Sequence, residues 1–191
     1  RDIRATEKVL YRQVLEIYAT SIDYDPRASV SQEFFKKVQN KIHYAIHGHT
    51  AAELIVERAD AEKDFMGLLT FKGNQPTLSE ARTAKNYLDE KELRAMGQLV
   101  SGYLDFAERQ AEREQPMTMN DWANYLDRIL TMSGEQLLLD SGKVSHTEAM
   151  EHATNEYRKY KQRTISDVEQ DYLDSIKRIG NIGKKGDKNE N

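Results

Sequence analysis

The chain has 191 residues, 38% of them hydrophobic and 31% charged, with a formal net charge of -4 and no cysteine. The acidic balance argues against a segment that binds nucleic acid as a whole, because such binding needs a positive field to displace counterions. Without cysteine there are no disulfides and no thiolate metal sites, and apolar runs as short as Leu137-Leu138-Leu139 cannot span a bilayer.

The sequence opens at Arg1-Asp2-Ile3, with neither Met nor a signal-like apolar segment, which reads as an excised piece of a longer, cytoplasmic protein. Ile3, Leu10, Val14 and Ile17 recur at helical spacing and predict a first helix over residues 2–20. A turn follows through Asp25-Pro26. Ser29 with Gln32 predicts a capping-box start, and Phe35, Val38, Ile42, Ala45 and Ile46 form one face of a second helix that Gly48 ends. Thr50 with Glu53 is another capping box, opening a third helix through Leu54 and Ile55 to about Asp60.

Residues 61–76 lose the helical period. Gly67, Gly73 and Pro76 punctuate them, predicting a short extended loop or a small hairpin around Leu68-Leu69-Thr70-Phe71. Thr77 with Glu80 starts a short helix to Leu88. Asp89 caps a long one whose buried side carries Leu93, Met96, Val100, Tyr103 and Ala107. Gly97 and Gly102 within it each cost about 1 kcal/mol relative to Ala, so they are expected to serve close helix packing.

Thr118 and Asp121 open the next helix, with Met119, Trp122, Leu126, Ile129 and Leu130 inward. Ser145 and Glu148 cap another, followed by Met150, Ala153, Tyr157 and Tyr160. A last helix carries Val168, Tyr172, Ile176 and Ile179. After Gly180 the composition turns to Gly, Lys and Asn, predicting a disordered polar tail over 181–191. The expected architecture is all-α: a single domain over 1–180 with about seven helices in a compact, orthogonal or bundle-like packing.

Several blocks resemble one known family. They include Ile17-Tyr18-Ala19-Thr20-Ser21-Ile22-Asp23-Tyr24-Asp25-Pro26, Val38-Gln39-Asn40-Lys41-Ile42-His43-Tyr44-Ala45 and Gly48-His49-Thr50-Ala51-Ala52-Glu53. Glu57-Arg58-Ala59-Asp60-Ala61, Gly102-Tyr103-Leu104-Asp105-Phe106-Ala107-Glu108 and Gly142-Lys143-Val144-Ser145-His146 continue the match, in order, over about residues 1–163. In these the chain is similar to the RhuM family of bacterial virulence-associated proteins. The resemblance implies a C-terminal region whose full-length relatives carry an antirepressor-like DNA-binding segment upstream and often sit beside restriction-modification genes. DNA contact would then run through that upstream segment alone. A related N-terminal region is elsewhere joined to Fic/Doc domains, which transfer AMP or phosphate to proteins. A distant Fic-like fold is the secondary expectation.

The densest polar cluster is His43, His47, His49, Thr50, Glu53, Glu57, Arg58 and Asp60, with Lys72 in the following loop. His43 and His47 share a helix face. The capped start at Thr50 offers free N–H groups and a positive dipole end that suit a phosphate or carboxylate. His49, a turn and a helix start loosely resemble the Fic layout, in which His49 would be the catalytic residue and ATP with magnesium the cofactor. The Fic pattern of His-Pro-Phe followed by a Gly-Asn-Gly-Arg type loop is absent, however, and Thr50-Ala51-Ala52-Glu53 stands in its place.

A metal on His43, His47 or His49 with Glu53 is a further reading, but no His-Glu-x-x-His pattern supports it and no metal is expected. Glu57-Arg58-Ala59-Asp60 reads as a salt-bridged helix end, Ser145 as an N-cap, and the Tyr and Trp set as core. The leading expectation is therefore a non-catalytic interaction or regulatory module that binds a protein partner or itself, with no cofactor and no membrane contact. A diverged Fic/Doc-like transferase is the alternative.

Overall fold

The computed structural model describes residues 12, 16, 18–164 and 167–186, so most of the first predicted helix lies outside the described residues. Six helices of eight residues or more follow: α1 (Ser29–His47), α2 (Ala51–Arg58), α3 (Glu90–Glu112), α4 (Met119–Met132), α5 (His146–Arg163) and α6 (Asp167–Gly186). A single α-turn at Leu78–Ala81 and 3-10 turns at Asp64–Gly67 and Ala84–Tyr87 lie between α2 and α3, and Tyr18 and Ala19 are helical as well, with no strand among the described residues. The all-α expectation holds.

Helix starts follow local chemistry. Thr50, Thr77, Asp89, Thr118 and Ser145 each accept the N–H three residues on, and the acid at that position bonds back to the cap amide. Each box satisfies two amides that the helix geometry leaves without partners. The Ser29 start differs from expectation. Ala28 is the N-cap and no side chain caps α1. Ala28 is the extended residue (φ -76°, ψ 130°), so Ser29 lies inside the helix and its hydroxyl is not at the capping position. Just before it, Asp25 accepts the Arg27 amide through its side chain and the Ala28 amide through its carbonyl.

Helix α2 sits at the centre, packing chiefly on α5 and on the Ala84–Tyr87 turn, while α1 packs on α3, α2 and α4. Ala149 and Ala153, both fully buried, form much of the inner face of α5, and their small side chains let it approach α2. Val38, Ile42, Leu54, Ile55, Met96, Val100, Leu126 and Leu130 fill the core.

An aromatic layer closes one end. Tyr18 packs against Phe34 and Phe35 with ring centroids 5.4 and 5.5 Å apart. Its hydroxyl lies 2.8 Å from that of Tyr103, which itself donates to the Trp122 carbonyl at 2.8 Å. Since Tyr103 has one proton to give, Tyr18 is the donor of the pair. Just beyond, the Ile22 amide donates to the Met117 carbonyl and the Met119 amide donates to the Asp23 carboxylate.

Of the loop and hairpin readings of residues 68–71 the structure takes the loop, held where the Leu69 and Thr70 amides donate to the Asn86 carbonyl. Two further expectations are corrected. The helix expected over 77–88 breaks after Ala81. Thr83 turns its hydroxyl back to the Ser79 carbonyl and Asn86 sends its side-chain amide to the Glu80 carbonyl, local bonds that compete with helix continuation. Gly97 and Gly102 are not at a close helix contact, because a Cβ at either position meets nothing within 4 Å. The apolar face of the last helix is open: Val168, Tyr172 and Ile176 are 79%, 66% and 48% exposed. Periodicity reports that a helix is amphipathic but not whether anything covers it.

Candidate functional site

The histidine cluster forms where α1 turns into α2. Gly48 ends α1 in the left-handed conformation (φ 76°), and its amide bonds the Tyr44 carbonyl. That reversal sets His47 and His49 side by side, rings 6.1 Å apart and nearly parallel. His43, one turn before His47, places Nδ1 3.0 Å from His47 Nε2. Burial lowers the pKa of His43 to about 4. Burial first, then repulsion from His43, lowers that of His47 to about 3. Both rings are therefore neutral at pH 7, and one donates the hydrogen bond the other accepts.

His49 uses Nδ1–H on the carbonyl of His47 at 2.9 Å, which leaves Nε2 facing the Glu57 carboxylate at 3.4 Å. It bonds the outgoing end of α1 and does not cap α2.

The α2 start is already engaged. Glu53 Oε2 accepts the Thr50 amide at 2.8 Å, Thr50 Oγ1 accepts the Glu53 amide, and Asn40 Oδ1 accepts the Ala51 amide. Glu53 Oε1 accepts the amide of Lys143 at 2.6 Å, from the loop that enters α5. Burial would raise the Glu53 pKa, but the bonds from the Lys143 and Thr50 amides outweigh it and hold the carboxyl below its usual range. The negative charge that a helix N-terminus attracts is supplied from within. Gly142 (φ 84°) lies over it, so close that a Cβ would come within 2.6 Å of Thr50 Cγ2.

Arg58 makes a two-pronged pair with Glu92, at 2.7 and 2.6 Å, and also donates to the Tyr87 carbonyl. The Glu92 carboxyl is held below the usual range chiefly by the Arg58 hydrogen bonds. Asp60 lies apart, accepting the Glu62 amide and standing 4.0 Å from Lys63. Lys72 is also apart, in the exposed loop, where its amide donates to Glu80. The structure thus brings together His43, His47, His49, Thr50, Glu53 and Arg58, and leaves Asp60 and Lys72 outside. Among the described residues no three His, Asp or Glu side chains are arranged to hold a metal ion.

Sequence reasoning missed the partners of this site: Glu92, Lys143 and Asn40. It also missed a cavity of about 440 Å³ at the α2 start, lined in part by Lys36, Asn40, Ala51, Arg82, Ser145 and His146. Spacing carries no sign of it, since its walls come from four separate segments. A second cavity, of about 490 Å³, lies by Leu104, Ala107, Met117 and Trp122. The buried indole N–H of Trp122 has no hydrogen-bond partner.

No described helix is long and apolar enough to cross a membrane. The family model described as Virulence protein RhuM family matches residues 1–168. No curated protein and no solved structure matches the chain.

Proposed function

We propose that this chain, which belongs to the Virulence protein RhuM family, is a non-catalytic interaction or regulatory module. It would work beside a DNA-binding region carried elsewhere in the full-length protein. The observation that supports this reading is the internal carboxylate at the α2 start. A transferase centred on His49 needs that helix end free for phosphate and needs His49 free to take a proton from a target hydroxyl. Instead Glu53 bonds the Thr50 and Lys143 amides, and His49 faces Glu57 with its second nitrogen. A phosphate brought to that end would meet a like charge.

The test is incubation with labelled ATP, magnesium and bacterial lysate. No protein should acquire label, and His49→Ala should change nothing beyond its effect on stability. Label that appears with the unaltered chain and disappears with a folded His49→Ala variant would overturn the reading in favour of a diverged Fic/Doc-like transferase.

A further inference from the structure

Two cavities meet at the start of α5. The one of about 440 Å³ at the α2 start and a third, of about 480 Å³ along α5, share Arg82, His146 and Met150 as walls. Together they form one cleft. Lys36 of α1 lines its first part, Arg82 lines both, and Arg158 of α5 lines the second. Glu151 is the one acid among the described lining residues, against these three bases. The chain as a whole has the opposite balance, with 32 acids to 28 bases.

All three bases are exposed, and among the described residues none of them forms an ion pair. Arg82 is nevertheless held in place. Its Nε and Nη2 donate to the Thr154 hydroxyl at 3.2 and 2.8 Å, and that hydroxyl donates on to the Met150 carbonyl at 2.6 Å. A guanidinium carries five N–H groups, so Arg82 keeps donors for a second partner.

The walls narrow the chemistry of that partner. Charges spread over two cavities do not converge on a single small anion; they suit a ligand with several negative charges along its length. From His146 to Arg158, α5 rises about 18 Å, the length of five or six residues of extended chain at about 3.3 Å each. Gln39, Asn40, Thr147 and Asn155 add amides and a hydroxyl that can bond peptide N–H and C=O groups. No Phe, Tyr or Trp is among the described lining residues, so the cleft lacks the stacking surface that holds single-stranded nucleic acid.

We infer that this cleft binds an extended acidic peptide segment of a partner protein, its carboxylates set against Lys36, Arg82 and Arg158. The first amides of α2 take no part, because Glu53 and Asn40 already hold those of Thr50 and Ala51. Glu151 favours an uncharged or basic peptide residue beside it. This rests on the interaction-module reading and gives the chemistry of its partner.

Fluorescence anisotropy tests it, with the full chain titrated into a labelled peptide of about eight alternating Asp and Ser residues, long enough to span the α5 side of the cleft. Binding should saturate at low salt and weaken as salt is added. The same peptide with Asn for Asp should bind about tenfold more weakly, as should the unaltered peptide to Arg82→Gln with Arg158→Gln. Since Arg82 also holds Thr154, Lys36→Glu with Arg158→Glu is the second variant: these two bases have no hydrogen bond to lose among the described residues, and an unchanged circular dichroism melt would establish that the fold is intact. Arg94→Gln, an exposed base that does not line the cleft, should leave binding unchanged.

Absence of saturable binding overturns the inference, as does binding that the folded Lys36→Glu, Arg158→Glu chain or the Asn peptide retains in full. A thymidine oligonucleotide of matched charge that binds more tightly than the peptide assigns the cleft to nucleic acid instead. Displacement of the peptide by inorganic phosphate, but not by chloride at equal ionic strength, assigns it to a single anion. None of these results touches the labelling experiment, so failure of the peptide site and failure of the non-catalytic reading remain separable.

Discussion

Glu53 accepts the amide of Lys143 across 90 positions of sequence, at 2.6 Å, with the same carboxylate that closes the capping box of its own helix. One side chain therefore fixes both the entry into α2 and the approach of the loop into α5. Glu53→Ala should destabilise the fold by about 1.5–3 kcal/mol, the range for hydrogen bonds to a charged group. Thr50→Ala should cost about 0.5–2 kcal/mol. Urea denaturation of both singles and the double should give a sum that is not additive, because each residue supplies half of one motif. Gly142→Ala should also destabilise, since it sets a Cβ against Thr50 in a left-handed conformation.

Arg58 and Glu92 form the second tie, joining the end of α2 to the start of α3. Arg58→Lys keeps the charge but loses the paired geometry and the bond to the Tyr87 carbonyl, and should cost about 1–2 kcal/mol. Glu92→Gln should cost more than an exposed charge removal, because the carboxylate also receives the Asp89 amide. Thermal melts of the two variants and the double measure the coupling.

Stability should fall as pH drops below neutrality. The unfolded chain protonates His43 and His47 near the ordinary value of about 6.5, while the folded chain resists until about 4 and about 3 respectively. Between those limits the unfolded state binds more protons, so acidification favours it, at up to about 1.4 kcal/mol per pH unit for each histidine. Urea midpoints at pH 7 and pH 5 should differ accordingly. His43→Leu should flatten the dependence even if it lowers stability at pH 7. An unchanged slope would mean that His43 is protonated in the native state.

Trp122 should carry a large share of the aromatic layer. It is 4% exposed and packs edge-on against Tyr103. Trp122→Ala should cost about 3–5 kcal/mol. Tyr103→Phe, which leaves the Trp122 carbonyl and the Tyr18 hydroxyl without their bonds, should cost about 1–3 kcal/mol. Chemical denaturation of both variants distinguishes lost volume from lost hydrogen bonds.

What the sequence made legible divides by distance along the chain. The boxes at Thr50, Thr77, Thr118 and Ser145 could be read because both halves lie three residues apart. The histidine cluster could be read because one turn of helix and one glycine bring its rings together. Arg58 with Glu92, Glu53 with Lys143, Lys41 with Asp127 and the Ala61 amide with Glu156 could not. Their partners lie 34, 90, 86 and 95 positions away, and only the packing of the helices against one another selects them. The α2 start illustrates the cost of that blindness. Its free amides are implied by helix geometry alone, while the groups that engage them come partly from elsewhere.

Among the contacts that fasten the described segment before α1 are those of the Tyr18 hydroxyl, the Ile22 amide and the Asp23 carboxylate. The last of these holds the first amide of α4, and the first leads through Tyr103 to the Trp122 carbonyl in the same helix. A pull on residues 18–23 is thus transmitted to the head of α4 rather than absorbed as slack, and the segment cannot peel away without loosening that helix. Mechanically the segment is pinned to the core at the head of α4.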